Sequence, residues 1–102
     1  MRPVFVYFWA DWCDEHRYMS PIIDALAQSR ADVQVGSLNV DENPRMAREC
    51  LIQMVPTMIL FSRGVERERI EGVSNQVHLS RTIDMHLVDA AIEIPDESDS
   101  VN

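Results

Sequence analysis

The sequence predicts a single α/β domain built on a four-stranded mixed sheet, and three observations support this. The 102 residues, 46% of them hydrophobic, suffice for one modest core. Strand-like and helix-like segments alternate through the first half of the chain, whereas two strand-like segments joined by a tight turn occupy the second half. Two parallel strands with crossover helices, followed by a hairpin, predict the element order β-α-β-α-β-β-α, the strand order 2-1-3-4 and helices on both faces.

The first half begins with the most apolar strand of the chain. Val4 to Trp9 is a short run of aromatic and β-branched residues, which indicates a strand buried on both faces and central in the sheet. Apolar positions then recur at helical spacing from Cys13 to about Ser29, and Pro21 inside this helix is expected to kink it. Val33 to Val40 alternates as a strand, and a short helix follows from about Pro44 to Cys50.

The second half is predicted to form a hairpin and a last helix. Thr57 to Ser62 and Glu66 to Glu71 are the strands, and a turn at Gly64 joins them. Ser74 or Asn75 can cap the last helix. Its buried side is predicted to carry Val77, Leu79, Ile83, Leu87 and Val88.

The domain is expected to cover residues 1–92. Residues 93–102, EIPDESDSVN, are acidic, contain Pro95 and lack apolar periodicity. They are therefore predicted to form a disordered tail.

The charge of the chain excludes several classes of partner. Seventeen acidic against nine basic residues give a net charge of -8, which repels nucleic acid and anionic membranes. The sequence shows neither a membrane-spanning apolar run nor a secretory signal, so a cytoplasmic location is expected. In a reducing compartment the two cysteines are expected to remain free thiols.

A set of short motifs carries a resemblance to a known family. They are FWADWC, a proline within the first helix, LNVDENP, VPT at Pro56, Gly64 in the hairpin and Gly72 before the last helix. From about Val4 to Val88, in this order and spacing, the sequence resembles thioredoxin. The resemblance implies a minimal thioredoxin-like fold with a cis-proline at Pro56, which faces Cys13 and presents the backbone of Val55 to a substrate peptide.

The chain departs from the family pattern at positions that matter for chemistry. Cys13-Asp14-Glu15-His16 stands where the family has Cys-Gly-Pro-Cys, so the resolving thiol is absent. Tyr7 replaces a buried aspartate, and Ser37 replaces the lysine often paired with it. The family's usual strand and helix before Val4 are also missing, which leaves the strand 33–40 as an expected unpaired edge.

Opposing effects act on the Cys13 thiol. A helix N-terminus offers free N–H groups and the positive end of the dipole, which stabilise a thiolate, and His16 could assist as imidazolium or as proton acceptor. The carboxylates of Asp14 and Glu15 disfavour a second anion. The sequence leaves the net direction open. Imidazole cannot attack a mixed disulfide, so release of a captured partner requires an external thiol.

Three functional hypotheses follow from these residues. The first is a monothiol disulfide oxidoreductase, in which Cys13 attacks a protein or glutathione disulfide and an external thiol resolves the product. The second is a redox-inactive module that binds peptides or acts as a chaperone. The third is an assembly subunit that uses the edge at 33–40, through which a weak homodimer is also expected.

The candidate site residues are few. Cys13 and His16 are the catalytic candidates, and the substrate-binding candidates are Trp12, Met54, Val55 and Pro56. No metal site is predicted, because Cys13 and His16 lack two further ligands at suitable spacing. No cofactor is expected either, apart from glutathione as an external thiol. Cys50 is interpreted mainly as a small apolar residue, with a resolving role as the alternative.

Overall fold

The computed structural model describes the backbone of residues 2–99 and the side chains of residues 2–87. This part of the chain forms four strands and three helices. In chain order they are β1 (Val4–Trp9), α1 (Glu15–Ser29), β2 (Gln34–Asn39), α2 (Pro44–Glu49), β3 (Thr57–Ser62), β4 (Val65–Glu71) and α3 (Gln76–Asp99). The predicted element order is therefore confirmed.

The four strands form one mixed sheet in the predicted order β2-β1-β3-β4. β1 lies centrally, parallel to β2 and antiparallel to β3, and β3 pairs antiparallel with β4. The register places Tyr7 of β1 opposite Ser37 of β2 on one side and Met58 of β3 on the other. The hairpin turn uses Arg63 and Gly64, both with positive φ, as a two-residue connection between right-twisted strands requires.

The main core lies between one face of the sheet and the helices α1 and α3. Alternate residues of β1 and β3 point to this face because side chains alternate along a strand. The core residues are Phe5, Tyr7, Met58 and Leu60 of the sheet, Met19, Ile23 and Leu26 of α1, Val33, and Leu79 and Ile83 of α3. The apolar stripes of both helices thus hold the start of α1 beside the end of β1.

The opposite face of the sheet contacts the end of α2. Arg69 of β4 lies across from Ile59 of β3, on the face away from the main core. Its guanidinium donates hydrogen bonds to the carbonyl oxygens of Cys50 and Leu51, which follow α2 directly. Helices therefore lie on both faces, as predicted.

One expected core position is exposed instead. Val77 was predicted on the buried side of α3, but it lies in the first turn at the open end of the helix and is exposed. Tyr18 of α1 is exposed as well, because Met19 and Ile23 define the side of this helix that packs on the sheet. Asn75 caps α3, since its side-chain oxygen accepts a hydrogen bond from the backbone N–H of His78.

The helical backbone of α3 extends to Asp99, beyond the predicted domain boundary at residue 92. The side chain of Val88 and those of the proposed tail lie outside the described residues. The disorder assigned to residues 93–102 stays a prediction. No helix in the described part of the chain is long and apolar enough to cross a membrane.

A candidate thiol site at the start of helix α1

The chain reaches the candidate site by turning sharply after β1. The backbone N–H of Cys13 donates to the carbonyl of Ala10 at 3.2 Å, and that of His16 donates to the carbonyl of Cys13 at 3.1 Å. Ala10 is fully buried, which anchors this turn in the interior. Cys13 consequently lies two residues before the first residue of α1, with only 7% of its surface exposed.

The thiol of Cys13 has two hydrogen-bond acceptors. The sulfur lies 3.0 Å from Oε1 of Glu15, and 3.6 Å from the carbonyl oxygen of Val55. The peptide bond between Val55 and Pro56 is cis, the form that the resemblance implies. The structure thus brings Cys13 and the VPT loop together, as the sequence comparison suggested, and adds Glu15 as a direct contact.

The pKa of the Cys13 thiol is raised above its ordinary value of 9.0. Burial is the largest cause, followed by the hydrogen bond that the thiol donates to Glu15. The backbone N–H groups of Glu15 and His16 act in the opposite direction, as expected at a helix N-terminus, but they do not prevail. The net direction that the sequence left open is therefore towards the protonated thiol.

The imidazole of His16 turns away from the thiol and towards the sheet. Its Nδ1 shares a 2.8 Å hydrogen bond with the hydroxyl of Tyr7. Its ring stacks on Trp9, with centroids 4.1 Å apart and planes inclined by 10°. Among the described residues no side-chain hydrogen bond joins His16 to Cys13, so the structure does not bring these two catalytic candidates into direct partnership.

His16 lines a cavity of about 190 Å³ together with the other two positions that depart from the family pattern. These are Tyr7 and Ser37, which lie side by side because β1 and β2 pair in parallel register. Burial raises the pKa of the Tyr7 hydroxyl to about 12. The aspartate, lysine and cysteine of the family pattern are thus replaced as a group by a neutral phenol, a hydroxyl and an imidazole.

Exposed apolar side chains lie on the loops that carry Cys13, Pro56 and Gly72. Trp12 and Met54, both predicted substrate-binding residues, are exposed, and the indole N–H of Trp12 donates to Asp41 at 2.8 Å. Val73 is exposed as well and was missed by the sequence interpretation. It follows Gly72, whose N–H donates to the carbonyl of Pro56 at 2.8 Å. The glycine before the last helix was the signal that could have drawn attention to Val73.

Cys50 lies apart from these contacts, at the end of α2. Its sulfur is 3.9 Å from the sulfur of Met46, and both cysteines are free thiols. Burial raises the pKa of Cys50, although the nearby Arg69 acts against this. The described residues contain no group of three or more potential ligands that could hold a metal ion.

Comparisons with known proteins show that the chain is similar to thioredoxins. The thioredoxin family model matches residues 1–85. Thioredoxin 1 of Synechococcus elongatus is 38% identical over 86 residues, covering 83% of this chain and 80% of that protein. Thioredoxin of Mycobacterium tuberculosis is 39% identical over 83 residues, covering 80% of this chain and 72% of that protein.

Solved structures show the same similarity. A mutant thioredoxin of Halobacterium salinarum superposes with a TM-score of 0.77 at 31% identity, covering 81% of this chain and 73% of that one. Oxidised mitochondrial thioredoxin 3 of Saccharomyces cerevisiae gives a TM-score of 0.73 at 32% identity, covering 80% and 76%. The segment that matches the family model includes Cys13, Val55 and Pro56. The chain belongs to the thioredoxin family of thiol–disulfide oxidoreductases.

Proposed function

We propose that this protein works as a monothiol disulfide oxidoreductase through Cys13. One observation carries the proposal. The Cys13 sulfur lies 3.6 Å from the carbonyl of Val55, beside Pro56, whereas the fourth motif position is an imidazole bonded to Tyr7. A nucleophile thus faces the loop that the resemblance assigns to substrate peptides, and residue 16 offers no thiol for release.

The proposed reaction begins when the Cys13 thiol loses its proton to solvent. The thiolate attacks one sulfur of a substrate disulfide, the S–S bond of the substrate breaks, and the departing thiolate takes up a proton. The product is a mixed disulfide on Cys13, in which Cys13 has been oxidised and the departing half of the substrate reduced. An external thiol such as glutathione then attacks, as its thiolate, the substrate sulfur of the mixed disulfide. The bond to Cys13 breaks, Cys13 takes up a proton and is reduced, and the remaining half of the substrate leaves as a disulfide with the external thiol.

The exposed surface around Cys13 suits protein or peptide disulfides. Trp12, Met54 and Val73 supply apolar contact area, and apolar side chains beside a short stretch of free backbone are typical of peptide recognition. The backbone of Val55 is the candidate for strand-like pairing with the peptide.

Release is expected to be the slow stage. A thiol with a raised pKa is a poor leaving group, so the external thiol displaces Cys13 slowly from a mixed disulfide. A reducing compartment such as the cytoplasm would supply that thiol. We therefore expect mixed disulfides of this protein to persist.

The direct test is the isolation of a mixed disulfide. The native protein and a Cys50→Ser variant, each incubated with a disulfide-bonded peptide, should both gain the mass of one peptide half in mass spectrometry. Cys13→Ser should gain nothing. A Cys13→Ser protein that still captures the peptide, or a Cys50→Ser protein that does not, would refute the proposal.

A second prediction addresses the missing resolving thiol. His16→Cys should raise the rate of insulin disulfide reduction driven by dithiothreitol, because an internal thiol could then release the substrate. His16→Ser serves as the control, since it removes the imidazole without adding a thiol, and it should not raise the rate. If both variants accelerate reduction equally, the absence of a thiol at residue 16 does not limit release.

The raised pKa of Cys13 favours a second candidate function, a peptide-binding module without redox turnover. A protonated thiol is a poor nucleophile at neutral pH, whereas the apolar rim and the Val55 backbone remain available for binding. In that case Cys13→Ser would bind a peptide as tightly as the native protein, and the native protein would form no mixed disulfide.

A further inference from the structure

We propose that Glu15 is the residue that restrains Cys13, because its carboxylate holds the thiol in the protonated form. Neutralising the Glu15 side chain should make Cys13 a faster nucleophile. The inference deepens the proposed function and rests on it for its biological meaning, although the contact itself can be measured without any disulfide substrate.

The Glu15 carboxylate accepts the shorter of the two hydrogen bonds made by the Cys13 thiol. Oε1 of Glu15 lies 3.0 Å from the sulfur, closer than the other acceptor, the Val55 carbonyl at 3.6 Å. An ionised carboxylate only accepts hydrogen bonds, so this contact requires a proton on the sulfur. Removing that proton breaks the hydrogen bond and leaves two anions at the same distance, on a cysteine with little access to water.

The carboxylate is ionised under ordinary conditions. Its hydrogen bond with Cys13 lowers the pKa of Glu15 below the usual value. Glu15 is also exposed and begins α1, where the positive end of the helix favours a negative charge. The acceptor therefore stays charged throughout the pH range in which the thiol could react.

Other charged or titratable groups lie near the thiol, but none shares this contact. Asp11, Asp14, His16 and Arg17 lie within four residues of Cys13 in the chain, and two further groups, Tyr7 and Asp41, are hydrogen-bonded to its neighbours His16 and Trp12. Within the described residues, Glu15 is the only side chain that is hydrogen-bonded to the Cys13 sulfur. Asp14 therefore provides a matched control, because it is adjacent, exposed and equally charged.

The test compares Glu15→Gln with Asp14→Asn, both in a Cys50→Ser background so that Cys13 is the only thiol. The rate of alkylation by iodoacetamide is followed from acidic to alkaline pH, with thiolate absorbance recorded in parallel. Glu15→Gln should lower the pH midpoint of the alkylation profile by about one unit. Asp14→Asn should lower it by much less, since solvent screens the charge of Asp14. Glu15→Ala should move the midpoint in the same direction as Glu15→Gln.

The expected gain in rate at neutral pH is smaller than the gain in thiolate. A midpoint lowered by about one unit gives about tenfold more thiolate, but a less basic thiolate is a weaker nucleophile, which leaves about threefold faster alkylation. The inference would be overturned if the pH midpoint of alkylation in Glu15→Gln equals or exceeds that of the Cys50→Ser parent protein. Equal shifts in Glu15→Gln and Asp14→Asn would also overturn it, because net charge rather than the hydrogen bond would then be responsible.

This outcome is separable from that of the proposed function. If Glu15→Gln alkylates faster but no variant captures a peptide disulfide, the restraint is real and the monothiol function is wrong. If the parent captures peptides and Glu15→Gln leaves both alkylation and capture unchanged, the monothiol function stands and the role of Glu15 is wrong.

Discussion

At the scale of single residues, the chemistry of the site depends on the partner that each side chain of the motif contacts. Cys13 finds Glu15 and the Val55 carbonyl, whereas His16 finds Tyr7 and Trp9. Burial and the Glu15 carboxylate outweigh the helix N-terminus and raise the thiol pKa. The direction of the Cys13 pKa is thus set first by burial and second by the carboxylate two positions later, against the effect of the helix N-terminus.

The hydrogen bond between Tyr7 and His16 should contribute measurably to stability. Tyr7 is 1% exposed, so Tyr7→Phe keeps the packing of the ring but leaves Nδ1 of His16 without its partner. We expect a loss of about 1 kcal/mol in the free energy of unfolding, measured with urea. Tyr18→Phe, at an exposed position, should change it by less than about 0.5 kcal/mol.

The native protein and Tyr7→Phe should also differ in stability at alkaline pH. The pKa of Tyr7 is about 12 in the folded protein against an ordinary 10.0, so folding favours the neutral hydroxyl. Its contribution is complete below pH 10.0 and is lost as the pH rises through about 12. The native protein should therefore lose stability in this window more steeply than Tyr7→Phe. Parallel pH profiles would contradict this assignment.

At the scale of elements, one arginine joins the two helices that cover the main core. Arg30, at the end of α1, lies 2.7 Å from Asp84 of α3 and also donates to the carbonyl and hydroxyl of Ser80. The guanidinium also makes a bidentate contact with Asp32, in which its Nε and Nη2 donate to the two carboxylate oxygens at 3.0 and 2.9 Å. With the end of α1 fixed to α3, its start is held against the sheet, where Cys13 lies.

Replacing this arginine should weaken the docking of α1 on α3. The Arg30 side chain is 13% exposed but its carboxylate partners are largely exposed, so Arg30→Ala should cost about 1–2 kcal/mol, between the usual values for surface and buried pairs. Arg45→Ala removes only an exposed pair with Glu49 within one helix and should cost less than about 0.5 kcal/mol. Equal losses in urea unfolding for both variants would argue against the docking role.

At the scale of the whole molecule, the two edges of the sheet differ in protection. β4 carries five charged residues in the sequence VERERIE, a composition that discourages pairing with another strand. β2, QVGSLN, carries none, and in the described part of the chain it pairs with β1 alone. The unprotected edge therefore belongs to the segment 33–40 that the sequence singled out.

We accordingly predict weak self-association through β2. Sedimentation over a wide concentration range should show a monomer–dimer equilibrium, kept weak by repulsion between chains of net charge -8. Ser37→Lys, at an exposed position of β2, should weaken it. Glu71→Gln changes the net charge by the same amount on β4 and should not. A native protein that stays monomeric at the highest concentration would exclude this interface.

The sequence by itself determined the fold and the location of the site. Periodicity distinguishes the buried strand Val4–Trp9 from the amphipathic helix that follows, and a turn at Gly64 marks the hairpin, because these signals are local properties of the chain. The resemblance to thioredoxin, rather than a local signal, implied that Pro56 faces Cys13. Helix boundaries were less accurate, and Val77 was wrongly assigned to the core, since the exposure of a first-turn residue depends on where the helix meets the sheet.

Only the tertiary structure decided what the motif residues touch. Glu15 and His16 are adjacent in sequence, but successive residues of a helix point about 100° apart, so one reaches the thiol and the other the sheet. The direction of the thiol pKa depends on burial and on a 3.0 Å contact, neither of which has a local signature in the sequence. The parallel register of β1 and β2, which places Tyr7 beside Ser37, is likewise a long-range property of the fold.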